Sequence, residues 1–175
     1  FDLIISLAVL YDVDNPVSFA KTIYNNLDAN GIWITEQTSS LTLLDTNAYD
    51  SICHEHLTYL SYKTLNKICQ LAGLRIIDAY KNDINGNSFV LVITKNGNSH
   101  KPNLSNIKKY VDYENSYRPD SLKKWEMFED FVINHKTDLK KIIEDLKIEG
   151  PVFGYGASTK GNVLLQYLGI TNKDL

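Results

Sequence analysis

The sequence predicts an α/β fold: part of an open parallel sheet that ends in an antiparallel hairpin, then helices, then the first strand and helix of a second α/β unit. Three observations predict it. A strand, a helix and another strand follow one another within residues 3–35, which is the right-handed crossover of a parallel sheet. The stretch Asn82-Asp83-Ile84-Asn85-Gly86-Asn87 joins two β-rich runs and is a hairpin signal. Near the far end, a short apolar run meets the glycine turn Gly154-Tyr155-Gly156 and a helix start.

Each element has a local reason. Leu3–Leu7 is a near-continuous apolar run, as expected of a strand covered on both faces. Asn15 is a candidate N-cap with Pro16 at the first helical position, and Phe19, Ala20, Ile23, Tyr24 and Leu27 recur at helical spacing until Asn30-Gly31. Ile32-Trp33-Ile34-Thr35 is the next strand. Residues 37–47 are rich in Ser, Thr and Leu and read as a loop or short helix. A helix over Tyr62–Ala72 carries Leu65, Ile68, Cys69 and Leu71, with Gly73 at the C′ position. Strands over Leu74–Tyr80 and Ser88–Thr94 form the hairpin, and residues 96–103 a surface linker.

Helices follow over Ser105–Tyr113 and Ser121–Ile148; the second keeps Trp125, Phe128, Phe131, Val132, Leu139, Ile142, Ile143 and Leu146 at helical spacing. Gly150-Pro151 breaks it, Val152–Gly156 is a strand, and Ser158–Leu168 is a helix. The expected partition is 1–97, 98–150 and 151–175. The chain opens inside a strand and closes just after a helix, so it reads as a piece of a longer protein.

Composition narrows the classes. Of 175 residues, 43% are hydrophobic and 22% charged, which suits a soluble domain with a real core. A net charge of −3 argues against a nucleic-acid footprint. No apolar stretch reaches the length of a membrane-spanning helix, and no charged-then-apolar leader opens the chain. Two cysteines, Cys53 and Cys69, lie in otherwise regular segments, which points to a reducing cytoplasm and away from a disulfide framework. Oligomeric state leaves no mark on the sequence.

Three constellations bear chemistry. Tyr49-Asp50-Ser51-Ile52-Cys53-His54-Glu55-His56-Leu57-Thr58-Tyr59 holds two of the four histidines around an acid. Imidazole titrates near working pH, which suits proton abstraction, and a neighbouring carboxylate orients or stabilises it. A loop whose histidines simply pair with their neighbours, or a metal site, fits the same spacing. Gly154 to Gly161 places Ser158, Thr159 and Lys160 at a helix start, where backbone N–H groups and the dipole attract anions; a capped helix after a tight turn is the bland alternative. It is not a Walker A loop, because Lys160 follows Ser158-Thr159 where it should precede them, nor the dinucleotide fingerprint, because Thr159 stands where the third glycine belongs. Finally, Glu36-Gln37 and Leu7–Asp12 leave the carboxyl ends of parallel strands, where ligands bind in open sheets. Trp33, Trp125, His100 and His135 read as structural.

Taken in order, Leu10-Tyr11-Asp12 to Asn15-Pro16, Gly31 to Glu36-Gln37, Tyr49 to Tyr59, Asn82 to Phe89 and Gly154 to Asn162 resemble the S-adenosylmethionine-dependent C-methyltransferases of nucleotide-linked 4-keto-6-deoxyhexoses. The resemblance covers nearly the whole chain. It implies a Rossmann-like methyltransferase sheet, of which residues 1–97 are the C-terminal half, followed by the start of a C-terminal domain. It implies an upstream zinc-binding domain, with no zinc ligand in this chain, and a cofactor pocket lying mostly upstream, of which Leu7 and Ala8 are a part. It implies His56 as general base and Glu55 as its support. Tyr49, His54, Glu36, Gln37, Asn85 and Ser88 are assigned to the sugar, and Ser158, Thr159 and Lys160 to the diphosphate or nucleotide. Cys53 and Asp12 stand where relatives carry a tyrosine and, in some, a histidine. The alternatives are a non-catalytic nucleotide-sugar-binding or regulatory module, favoured by Cys53 and Asp12, and a nicotinamide-dependent oxidoreductase, against which Thr159 counts.

Overall fold

A computed structural model describes residues 1–84, 87–156 and 158–175. Within them the chain is a mixed α/β protein. Strand β1 (Leu3–Leu7) leads through a 3-10 turn at Leu10–Asp12 to helix α1 (Pro16–Asn26) and strand β2 (Ile32–Gln37). Helix α2 (Ser40–Thr46), a second 3-10 turn (Tyr49–Ser51) and helix α3 (Tyr62–Leu71) precede strands β3 (Leu74–Asn82) and β4 (Ser88–Lys95). Helices α4 (Leu104–Tyr117), α5 (Leu122–Glu149) and α6 (Thr159–Leu168) complete the order.

The sheet runs β1-β2-β4-β3. β1 and β2 are parallel, with Leu3 opposite Ile32 and Leu7 opposite Glu36. β4 inserts antiparallel to both β2 and β3, so β3 again runs with β1 and β2. The hairpin expected from residues 82–87 therefore forms, but its second strand, not its first, lies against the parallel pair. Asn85 and Gly86 fall outside the described residues.

Local chemistry explains the helix ends. The Asn15 side chain accepts the Ser18 N–H at 2.9 Å, with Pro16 at the first helical position. Gly73 takes φ +78 after α3, a left-handed turn that glycine enters without steric cost. One face of the sheet carries the core: Trp33, Phe89, Leu91 and Ile93 pack with Leu10, Leu65, Cys69 and Tyr110. The Trp33 indole donates to Ser6 Oγ at 2.9 Å, so the largest buried side chain has its polar atom paired.

Three expectations need correction. Leu3, Ile5 and Leu7 are exposed on the other face of β1, because α1, α3 and α4 all pack on the opposite side of the sheet. Val152–Gly156 joins no ladder among the described residues, since the sheet offers it no neighbour. Helix α4 also continues past Tyr113 to Tyr117, and its extra turn makes contacts that spacing does not reveal. Glu114, nearly buried on that turn, accepts the N–H groups of Tyr62 at 2.6 Å and Lys63 at 3.3 Å. It thus serves the open N-terminus of α3 from a helix some fifty residues away.

Burial pushes the Glu114 carboxyl above its ordinary range, more strongly than the two N–H groups and Lys63 pull it down. A raised acid contributes most when protonated and loses that contribution as pH climbs from the ordinary 4.5 through its folded value. Glu114→Ala orphans both N–H groups and is expected to cost about 2 kcal/mol in urea unfolding. Glu114→Gln keeps one acceptor, costs less, and gains on the native residue as pH rises above 4.5.

Candidate active site

Both parallel strands end at the same edge of the sheet. There the Ala8 N–H donates to the Glu36 carbonyl at 2.8 Å, and Ala8 sits at φ +55, so the chain turns sharply into the 3-10 turn that carries Tyr11 and Asp12. The Tyr11 carbonyl then accepts two N–H groups, from Leu57 at 2.9 Å and from Thr58 at 3.1 Å. These bonds lay the His-Glu-His loop across the end of β1. The loop's own turn closes through the His56 N–H to the Cys53 carbonyl at 3.2 Å.

His56 is half-buried between two tyrosines. Its ring centroid lies 4.3 Å from that of Tyr11, tilted by 50°, and 6.4 Å from that of Tyr59 in an edge-on arrangement. Acidic groups surround it. Asp12 is pushed up by burial, with His56 pulling it down and Glu55 adding repulsion. Glu55 is held below the usual carboxylate range, first by its own backbone N–H and then by the Cys53 thiol, with His54 and His56 adding to it. Tyr11 and Tyr59 are both raised by burial and stay protonated. Two carboxylates and two protonated phenols thus lie around the His56 ring. His54 turns outward: its side chain is 90% exposed and pairs with Glu55 at 3.3 Å, a surface contact of little energetic weight.

A cavity of about 430 Å³ opens beside this loop, at the end of β2. Tyr49, Lys160, Asn87, Thr42 and, unexpectedly, His135 line it. Tyr49 is buried, and its hydroxyl lies 2.8 Å from His135 Nδ1. The Thr42 hydroxyl donates to the Asn87 carbonyl at 2.8 Å, which ties α2 to the hairpin. Ser51 belongs to the same lining and its carbonyl accepts the Tyr59 hydroxyl at 3.4 Å, so cavity and His56 loop share a wall.

Of the residues singled out in the sequence, Tyr49 and Lys160 meet in this cavity, while His56, Glu55 and His54 form the adjoining cluster. Glu36 is half-buried beside Leu7 on the bare side of the sheet. Gln37 is 1% exposed, and neither of its amide atoms has a partner among the described residues. Ser88 is buried in the hairpin. Ser158 Oγ accepts the Gly161 N–H at 3.2 Å as the N-cap of α6, and Thr159 is exposed beside it. Asn85 lies outside the described residues. His135, Tyr11, Tyr59 and Asn87 complete the picture. The two tyrosines lie inside the motifs, but His135 is 86 residues from its partner, a separation across which spacing carries no signal.

Leu7 is 57% exposed where β1 ends, next to the bend at Ala8. Among the described residues no three His, Cys, Asp or Glu side chains converge to hold a metal ion such as zinc. No helix among them is long and apolar enough to cross a membrane.

Comparison with known proteins bears on both halves of the chain. Residues 83–175 match the family model of the C-methyltransferase C-terminal domain, and residues 1–79 that of a methyltransferase domain. The curated relative "C-methyltransferase NovU" of Streptomyces niveus is 26% identical over 150 residues, which is 85% of this chain and 36% of the relative. The chain thus spans about a third of that relative's length. Among solved structures, "The structure of LepI complex with SAM" aligns at TM-score 0.44 and 13% identity over 54% of this chain and 26% of that one. "A Pericyclic Reaction enzyme" aligns at 0.42 and 12% over the same shares. A structural likeness this shallow carries no argument.

The two thiols should differ in reactivity. Burial pushes Cys69 up to about 12. Cys53 is raised by partial burial and then by its hydrogen bond to Glu55. Iodoacetamide at pH 8 is expected to label Cys53 slowly and Cys69 only on unfolding, and Glu55→Gln should speed Cys53 labelling several-fold. Mass spectrometry of the alkylated peptides checks both rates.

Proposed function

The chain belongs to the C-methyltransferases, whose C-terminal-domain model it matches over more than half its length, and from that premise we propose that the whole protein methylates the carbon beside the ketone of a nucleotide-linked deoxysugar, with His56 as the base. The observation that carries the reading is the setting of His56: half-buried at the carboxyl end of β1, flanked by Tyr11 and Tyr59, with Asp12 and Glu55 close by. S-adenosylmethionine, when bound, supplies an electrophilic methyl group.

The chain's own residues account for the rest. A C–H next to a ketone loses its proton to the free ring nitrogen of His56, and the electron pair left behind delocalises onto the ketone oxygen as an enolate. Asp12 and Glu55 stabilise the imidazolium so formed. The phenol of Tyr11, kept protonated by burial and packed against the His56 ring, is a hydroxyl donor for the developing oxyanion. The enolate carbon uses that pair for the new carbon–methyl bond and the ketone is restored, while the methyl–sulfur bond would break with its pair left on sulfur as a neutral thioether. Lys160 and the N-terminus of α6 supply positive charge on the cavity side, where a diphosphate would be held, and Tyr49 and Asn87 border the sugar. Glu36, Gln37, His54, Asn85 and Ser88 remain part of the proposed sugar-facing set. Leu7 and Ala8 contribute one edge of the cofactor pocket.

A second reading, a nucleotide-sugar-binding module without catalysis, draws on one observation: the 430 Å³ cavity is lined by Lys160, Tyr49 and His135, and His56 is not part of that lining. Calorimetry on the whole protein separates the two, since a binding module takes up the sugar nucleotide without regard to S-adenosylmethionine.

His56→Gln in the whole protein is expected to lower methyl transfer to a keto-sugar nucleotide by about 10²–10⁴-fold, the usual range for a general base, while leaving substrate affinity near that of the native enzyme. Methyl transfer at the native rate removes His56 from the role.

A further inference from the structure

His135 sits in the cavity with no assigned role. It comes from α5, the second helix after the sheet, and reaches Tyr49 in the turn at Tyr49–Ser51. Its ring stacks on Phe131, at 5.7 Å and 21°, and meets Tyr49 edge-on at 5.6 Å. Tyr49 in turn packs edge-on against Tyr167 of α6 at 5.6 Å and joins a small cluster with Leu43 and Phe128. The phenol is held by aromatic neighbours on two sides, and its hydroxyl lies 2.8 Å from His135 Nδ1. Three elements far apart in sequence converge on this pair, beside the Lys160 ammonium and the Asn87 backbone that also line the cavity.

The phenol is raised by burial and so keeps its proton. With the imidazole proton on Nε2, the Tyr49 hydroxyl donates to Nδ1, which leaves the phenol oxygen's lone pairs as acceptors for a hydroxyl in the cavity. An unpaired phenol would rotate among several directions, and the bond to His135 selects one. A volume of about 430 Å³ lies within the range of small-ligand pockets.

We propose that His135 is a positioning residue for the sugar: through Nδ1 it fixes the Tyr49 hydroxyl as a hydrogen-bond acceptor for a hydroxyl of the deoxyhexose ring. This rests on the reading that the cavity takes the sugar of a nucleotide-linked ketose. It goes beyond that reading in giving α5 a part in sugar affinity and His135 a role separate from proton transfer.

The test uses the whole protein, with a panel of nucleoside-diphosphate-linked 4-keto-6-deoxyhexoses, in steady-state kinetics and calorimetry. His135→Ala is expected to raise KM and Kd for the sugar nucleotide about tenfold, the scale of one hydrogen bond, and to lower kcat less than about threefold. Its KM for S-adenosylmethionine should not change, whereas a general loosening of the fold would move both. Tyr49→Phe should match it, the double variant should be no worse than Tyr49→Phe alone, and His135→Asn, which restores a polar atom near Nδ1, should recover part of the loss. Native sugar affinity in His135→Ala, a parallel rise in the S-adenosylmethionine KM, or full additivity with Tyr49→Phe overturns this inference alone. Native methyl transfer by His56→Gln overturns the base assignment alone. A native protein that takes up no sugar nucleotide overturns both.

Discussion

One carbonyl oxygen, that of Tyr11, receives the N–H groups of both Leu57 and Thr58, and the placement of His56 follows from it. The loop from Ile52 to Leu60 has no regular structure of its own among the described residues, so individual contacts determine where its side chains point. Pinned at that carbonyl, and closed by the bond from His56 N–H to Cys53, it sets the imidazole against the Tyr11 ring. Tyr11 is itself placed by the turn at Ala8, whose N–H is held by the neighbouring strand. The chemistry at position 56 thus depends on the parallel pairing of β1 with β2.

The same edge of the sheet divides into two regions with different physics. Around His56 the neighbours are carboxylates and protonated phenols. Around Tyr49 the neighbours are hydroxyls, an amide, an imidazole, an ammonium and the Asp50 carboxylate. The contact between Tyr59 and Ser51 joins the regions through one wall. The exposed His54–Glu55 pair has little part in holding this together, being solvated and screened, whereas the part-buried Tyr49–His135 bond ties α5 to the turn.

The sequence carried the local features well and the distant ones poorly. Asn15-Pro16 and Gly73 act through neighbours a few positions away, and each produced the helix end it implied, while β3 and β4 pair as the hairpin signal implied. The motif around His56 was legible because its residues are contiguous. What was not legible were partnerships formed by topology: Glu114 serving α3 from α4, His135 meeting Tyr49 from α5, and β4 inserting between β2 and β3. The apolar run of β1 was legible as a strand but not in its surroundings, since a period-two argument cannot say whether anything covers Leu3, Ile5 and Leu7. Val152–Gly156 shows the converse limit: strand-forming residues make a strand only where another strand offers its hydrogen bonds.

The proton step can be observed apart from methyl transfer. In deuterium oxide, with S-adenosylhomocysteine in place of the methyl donor, the whole protein is expected to exchange the hydrogen on the carbon next to the ketone of a keto-sugar nucleotide, a change that proton NMR follows directly. The account predicts exchange well above the solvent rate for the native protein and exchange at the solvent rate once His56 is replaced by Gln. Undiminished exchange in that variant would contradict it.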